Sequence, residues 1–107
     1  MFVDLTFFEV EGEHAERFEL AYGAVIQRAF ESEGCISSDL VRLSEENRYC
    51  WVERWVDRDA HQRFNEFLFG DILPGLPEDF KDIVTRLGSR DANGFRVSVP
   101  DSVARTE

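Results

Sequence analysis

The chain has 107 residues, with 22 acidic side chains against 12 basic ones and a formal charge of −10. That length fits one domain, and a 43% hydrophobic content with ten Phe supplies a core, which excludes a disordered chain. The acidic excess and the single lysine, Lys81, exclude phosphate backbones and anionic membrane surfaces as expected partners.

Residues 2–10, Phe-Val-Asp-Leu-Thr-Phe-Phe-Glu-Val, are β-prone and nearly apolar on both faces. Gly12, between Glu11 and Glu13, supplies a turn into a helix over 13–32. Its apolar positions Ala15, Phe18, Tyr22, Val25, Ile26, Ala29 and Phe30 recur three and four apart and form one stripe. Gly34 stops that helix. Strands are expected over Ile36–Leu43 and Arg48–Val56, with Ser44–Asn47 as the hairpin loop. Asp57 caps a second helix, 58–69, whose inward positions are Ala60, Phe64, Phe67 and Leu68. A third helix after Pro77 carries Leu76, Phe80, Ile83, Val84 and Leu87 on one stripe and ends at Gly88. Asn93-Gly94 turns the chain into a last strand, Phe95–Val99, and residues 100–107 form a tail beyond the domain, 1–99.

The order β-α-β-β-α-α-β is that of the ferredoxin-like split βαβ arrangement, an α+β fold with an antiparallel sheet. Helices cover one face of such a sheet. Strand one sets Phe2, Asp4, Thr6 and Phe8 against Val3, Leu5 and Phe7; strand three sets Tyr49, Trp51 and Trp55 against Cys50, Val52 and Val56. Neither set is polar enough to face water, so a homodimer packed through its sheets into an α/β barrel is expected. No apolar run approaches the ~20 residues that cross a bilayer. Met1–Asp4 lacks the basic start of a signal peptide, so a cytoplasmic protein is expected. Cys35 and Cys50 sit about seven residues apart along the hairpin ladder, roughly 23 Å at ~3.3 Å per residue. They are expected as free thiols.

Three features carry the further resemblance. They are a first strand ending at Gly12, the Glu33-Gly34-Cys35 opening of strand two, and Trp55-x-Asp-x-Asp-Ala-His61 entering helix two. With them the chain, from about residue 2 to 99, resembles the dimeric α/β-barrel group and within it the antibiotic biosynthesis monooxygenase family. The resemblance implies a cofactor-independent monooxygenase or oxidase acting on a small phenolic, quinol or polyketide-like aromatic. It places the family's strand-three Trp at Trp55 and the aromatic of quinone-forming members at His61. The Asn of some members falls on Trp51, a departure that removes an amide donor. The positions that haem-degrading relatives use correspond to Leu5, Phe64 and a His-free segment near Pro74, which argues against haem degradation.

His61 borders the helix-two stripe and is the first choice for a general base. Tyr22, on the helix-one stripe, is a hydroxyl donor in search of a partner. Trp51, Trp55 and Phe64 are the expected walls that stack an aromatic substrate. Asp4, if it faces inward, is a possible base or partner of a histidine, with pairing to an arginine such as Arg54 or Arg96 as the alternative; Glu53, on the Trp-bearing face of strand three, poses the same question. His14 is expected at the surface. No His/Cys/Asp spacing resembles a metal site and no nucleotide fingerprint is present, so no cofactor is expected. The alternatives are a non-catalytic ligand-binding or interaction domain and an isomerase or cyclase of the same superfamily.

Overall fold

A computed structural model describes residues 1–98. Its sheet is antiparallel throughout, in the order β2-β3-β1-β4, with β1 Phe2–Val10, β2 Cys35–Arg42, β3 Arg48–Trp55 and β4 Val84–Asn93. Helices α1, Ala15–Phe30, and α2, Arg58–Phe67, connect the strands, and a single turn, α3, Phe80–Ile83, precedes β4. This is the split βαβ topology that the element order implies.

Strict alternation of side chains along β1 sends Phe2, Asp4, Thr6, Phe8 and Val10 into the core and leaves Val3, Leu5, Phe7 and Glu9 half-buried on the opposite face. On β3 the same face receives Tyr49, Trp51, Glu53 and Trp55. The core lies between this face and the helices, closed by Phe18, Tyr22, Val25, Ile26 and Ala29 of α1. Phe18 and Trp55 are completely buried; removing an aromatic side chain of that kind from water contributes on the order of 2–3 kcal/mol.

Helix α2 starts where its sequence says it should. The Asp57 side chain accepts from the Ala60 backbone N–H at 2.8 Å, a capping bond worth about 1 kcal/mol. Just before β2, Gly34 has φ +86°, and its carbonyl accepts from the Val56 N–H at 2.8 Å. A Cβ there would stand 2.6 Å from the Ala60 Cβ, so the glycine lets α2 pack down onto the start of β2. After α2 the chain tightens through a π-type turn, Leu68–Ile72, and a short 3₁₀ turn, Leu73–Gly75. The Arg17 guanidinium holds Asp79 through two hydrogen bonds, at 2.5 and 2.6 Å, and lies over the Phe80 ring, tying this segment to α1.

The C-terminal part departs from the sequence expectation. The third helix is one turn rather than a stripe running to Gly88, and Val84 and Leu87 belong to β4. The last strand is therefore 84–93. Residues 95–98 are irregular, with Phe95 and Val97 exposed, and Val99 and the expected tail lie outside the described residues. A mismatch in register between Phe7 and Phe8, opposite Gly88 at φ +138°, places the bulge of this edge strand. Helix α2 ends at Phe67, and Phe67 and Phe30, expected inside, are exposed.

Candidate functional site

The core contains four buried polar side chains among the described residues: Asp4, Thr6, Glu53 and His61. They gather because β1 and β3 place Asp4 directly opposite Glu53, while the first turn of α2 drops His61 onto the pair. His61 Nε2 lies 3.2 Å from Asp4 Oδ2 and 3.8 Å from Glu53 Oε2. Its ring packs against Phe2 at 4.9 Å and Trp55 at 5.8 Å between centroids. The Trp55 indole N–H donates to Glu53 Oε1 at 3.2 Å, and the Thr6 hydroxyl donates weakly to Asp4 Oδ2 at 3.5 Å.

Two carboxylates facing each other across a ladder repel, and burial weakens the solvent screening that would otherwise soften this. Their electrostatics follow. Burial alone would lower the imidazole pKa, but the adjoining Asp4 and Glu53 more than reverse this and raise it to about 9. Burial pushes Glu53 upward. Burial acts upward on Asp4 too, yet the His61 contact and smaller ones hold its carboxyl below the ordinary range. At neutral pH the cluster is thus an imidazolium wedged against an ionised Asp4, with Glu53 the most readily protonated carboxyl.

A cavity of about 100 Å³ abuts the cluster. Asp4, Glu53 and Thr6 form its polar end, Trp51 and Tyr22 form walls, and Asn65 of α2 contributes an amide. The cavity continues past Phe8, Tyr22, Leu73 and Arg86 into an open groove of about 500 Å³. The Trp51 indole N–H donates to Ser38 Oγ at 3.0 Å, which fixes the wall. Tyr22 stacks on Phe18 at 4.6 Å, and burial raises its hydroxyl pKa.

Of the residues singled out in the sequence, Trp51 and Tyr22 border this cavity, together with the two carboxylates. His61 does not; it lies against Asp4 and Glu53. Trp55 and Phe64, expected as walls, stack on each other at 5.4 Å in the core and support Trp51 from behind. Asp4 takes His61 as its partner; Arg54, offered as an alternative, is exposed on the other face of the ladder. Donor atoms of Asp4, Glu53 and His61 all lie within 4.8 Å of one another, a grouping made by three separate elements and not by any spacing in the sequence. Asn65 and Arg86 went unnoticed; Asn65's position one residue after Phe64 on α2 was the available signal. Cys35 and Cys50 are both free, and burial, as the main cause, pushes the Cys35 thiol up to about 11.

A family model described as antibiotic biosynthesis monooxygenase matches residues 1–66, which include β1, α1, the hairpin and the His61 turn of α2. The chain belongs to the antibiotic biosynthesis monooxygenase family. Solved structures share the fold. A Deinococcus radiodurans protein described as a candidate antibiotic biosynthesis monooxygenase superposes with a TM-score of 0.73 at 18% identity, covering 94% of this chain and 99% of its own. A Nitrosomonas europaea protein of similar description gives 0.66 at 14% identity, with 90% and 100% covered. A Bacteroides thetaiotaomicron protein described as a possible oxidoreductase gives 0.69 at 15% identity, with 85% and 95% covered. No curated protein matches the sequence. Among the described residues no helix is long and apolar enough to cross a membrane.

The cluster makes stability depend on pH. Because the folded-state pKa of His61 lies above its ordinary value, the folded state holds more protons than the unfolded chain between about pH 6.5 and 9. The stabilisation is complete below that window and is lost as pH rises through it. Urea unfolding at pH 6 and pH 9 is expected to show a loss on the order of 2–3 kcal/mol. A midpoint that stays level across this range contradicts the cluster.

Proposed function

We propose that this member of the antibiotic biosynthesis monooxygenase family oxidises a small electron-rich aromatic, a phenol or quinol, with O₂. The observation that carries the reading is a pair of carboxylates lining a cavity together with Trp51, Tyr22 and Phe8, with a buried histidine against them. The enclosed space is too small for a fused ring system, whereas the groove beyond it is large enough. A substrate therefore fits with its ring in the groove and its acidic O–H or C–H end inward, where Trp51 and Tyr22 exclude water.

In this mechanism Asp4, the carboxylate held ionised, accepts the substrate proton. His61 acts as a positioning residue, since an imidazolium has no lone pair to offer as a base. The Asn65 amide stands where it can donate to the developing oxyanion and so supplies a donor of the kind that Trp51 lacks. The deprotonated substrate passes one electron to O₂, and the radical pair combines to a peroxide. The peroxide takes the proton back from Asp4, and its loss of water converts the ring C–H carbon para to the hydroxyl (a CH₂ in the keto tautomer) to a carbonyl, so one O₂ is consumed and one water is released per turnover. An isomerase or cyclase would need the same base but no oxygen, and a pure binding domain would need neither.

The uncovered sheet face supports a homodimer. Val3, Leu5 and Phe7 lie beside Cys50 and Val52 there, and Val41 extends the patch on β2. Sedimentation of the purified protein is expected to give a dimer that Leu5→Lys converts to monomer. A wild-type monomer at micromolar concentration contradicts packing through this face.

Oxygen uptake by metal-free protein with anthrones and dihydroxynaphthalenes tests the reaction. Saturable uptake is expected, with Asp4→Asn lowering kcat about 100-fold or more and Trp51→Ala acting mainly on KM. No uptake above buffer favours the binding-domain alternative, and turnover without oxygen favours the isomerase. Full activity in Asp4→Asn removes that carboxylate from the base role.

A further inference from the structure

We propose that the Asp4–Glu53–His61 cluster is a binding site for one divalent first-row transition-metal ion.

The first observation is the donor set. Two carboxylates and one imidazole converge from three separate elements, β1, β3 and α2, and their donor atoms lie within 4.8 Å of one another. Ligands held about 2.0–2.2 Å from a common ion stand roughly 3 to 4 Å apart. The observed separations of 3.2 Å, His61 Nε2 to Asp4 Oδ2, and 3.8 Å, His61 Nε2 to Glu53 Oε2, fall in that range.

The second observation is independent of the count of ligands. His61 is 93% buried, its residue exposure being 7%, yet Nε2 completes no hydrogen bond. The nitrogen is near both carboxylates, at 3.2 and 3.8 Å, and completes a hydrogen bond with neither. A buried ring nitrogen without a partner is costly. An ion in the gap among these three groups gives the nitrogen a partner.

Charge points the same way. Among the described residues no lysine or arginine is buried, and the imidazole is the cationic group in contact with the two core carboxylates, Arg86 lining the same cavity from an exposed position. An imidazolium offsets one negative charge, whereas a divalent ion with a neutral imidazole offsets both. The proton and the metal are thus alternative occupants of one gap. Trp55 already orients the site, because its indole N–H holds Glu53 Oε1 at 3.2 Å and leaves Oε2 facing the gap. Imidazole with carboxylates suits Mn²⁺, Fe²⁺, Co²⁺ or Zn²⁺, and two oxygen donors to one nitrogen disfavour a soft ion such as Cu⁺. Asp4 and Glu53 also border the cavity, so a ligand held there meets the same two carboxylates.

The inference does not depend on the oxidation proposed above, and its test requires no turnover. Chelator-treated full-length protein is titrated with Co²⁺ at pH 7.5, followed by visible absorption and by proton NMR. One equivalent is expected to bind, with hyperfine-shifted imidazole signals, and Zn²⁺ is expected to displace it. The chain has only two histidines, so a His14→Gln variant must retain those signals. Glu53→Gln and His61→Gln are expected to weaken binding about 100-fold or more, while Asp39→Asn, at an exposed position, leaves it unchanged. Absence of one-equivalent binding overturns the proposal. So does binding that survives in both ligand variants or disappears in His14→Gln. Should circular dichroism show either ligand variant unfolded, the imidazole signals of the His14→Gln protein decide the matter alone.

Discussion

Everything in this molecule that could perform chemistry depends on one unfavourable pairing. Asp4 and Glu53 face each other across β1 and β3 in the interior of the protein. Two such groups destabilise the ladder unless a third supplies positive charge between them. Helix α2 supplies it through His61, and three local features bring that helix in: the Asp57 cap, the close approach allowed by Gly34, and the Trp55–Phe64 stack. The cluster therefore links the docking of α2 to the protonation or metal occupancy of a site at the end of a cavity. An apolar trio in the same places would fill the core without this requirement.

Much of the fold was legible because its signals are local. The alternation in β1 and β3, the three-and-four spacing in α1 and the hairpin between β2 and β3 each appear within a few residues. The stretch after Pro77 misleads for a physical reason. Leu76, Phe80, Ile83, Val84 and Leu87 happen to fall at helical spacing, but β4 is an edge strand with most of its residues exposed. Such a strand needs no apolar alternation, and Arg86, Arg90 and Asp91 give it the charged character typical of a protected edge. The real alternation in Phe95, Val97 and Val99 pointed instead to a strand that 95–98 do not form. Phe30 and Phe67 misled in the opposite direction, since a helix of this size can leave single aromatic residues at its rim.

The site was legible in its parts and not in its arrangement. Strand parity put Glu53 on the face of Trp51 and Trp55 and left the direction of Asp4 open, and helix spacing put His61 at the border of the apolar stripe. That the three meet depends on the register of β1 against β3 and on the height of α2 above the sheet, neither of which any short motif encodes. The consequence is an exchange of roles. The histidine that looks like the first choice of base in the sequence lies outside the cavity lining, and the carboxylates, of which Asp4 was the lesser candidate, border the cavity. Trp51 and Trp55 divide in the same manner, one forming a wall and the other a support whose indole N–H orients Glu53. Membership in the antibiotic biosynthesis monooxygenase family accounts for the sheet, the helices and the cavity between them.

The most direct test of that account is the protonation state of His61 in the metal-free protein, read from its imidazole ¹⁵N shifts as pH is raised from 5 to 10. The account predicts an imidazolium that persists through neutrality and titrates near pH 9, with Glu53 carboxyl shifts moving in step. An imidazole that is already neutral at pH 7, with both carboxyl groups insensitive to it, would contradict the coupled triad and with it the division of roles drawn here.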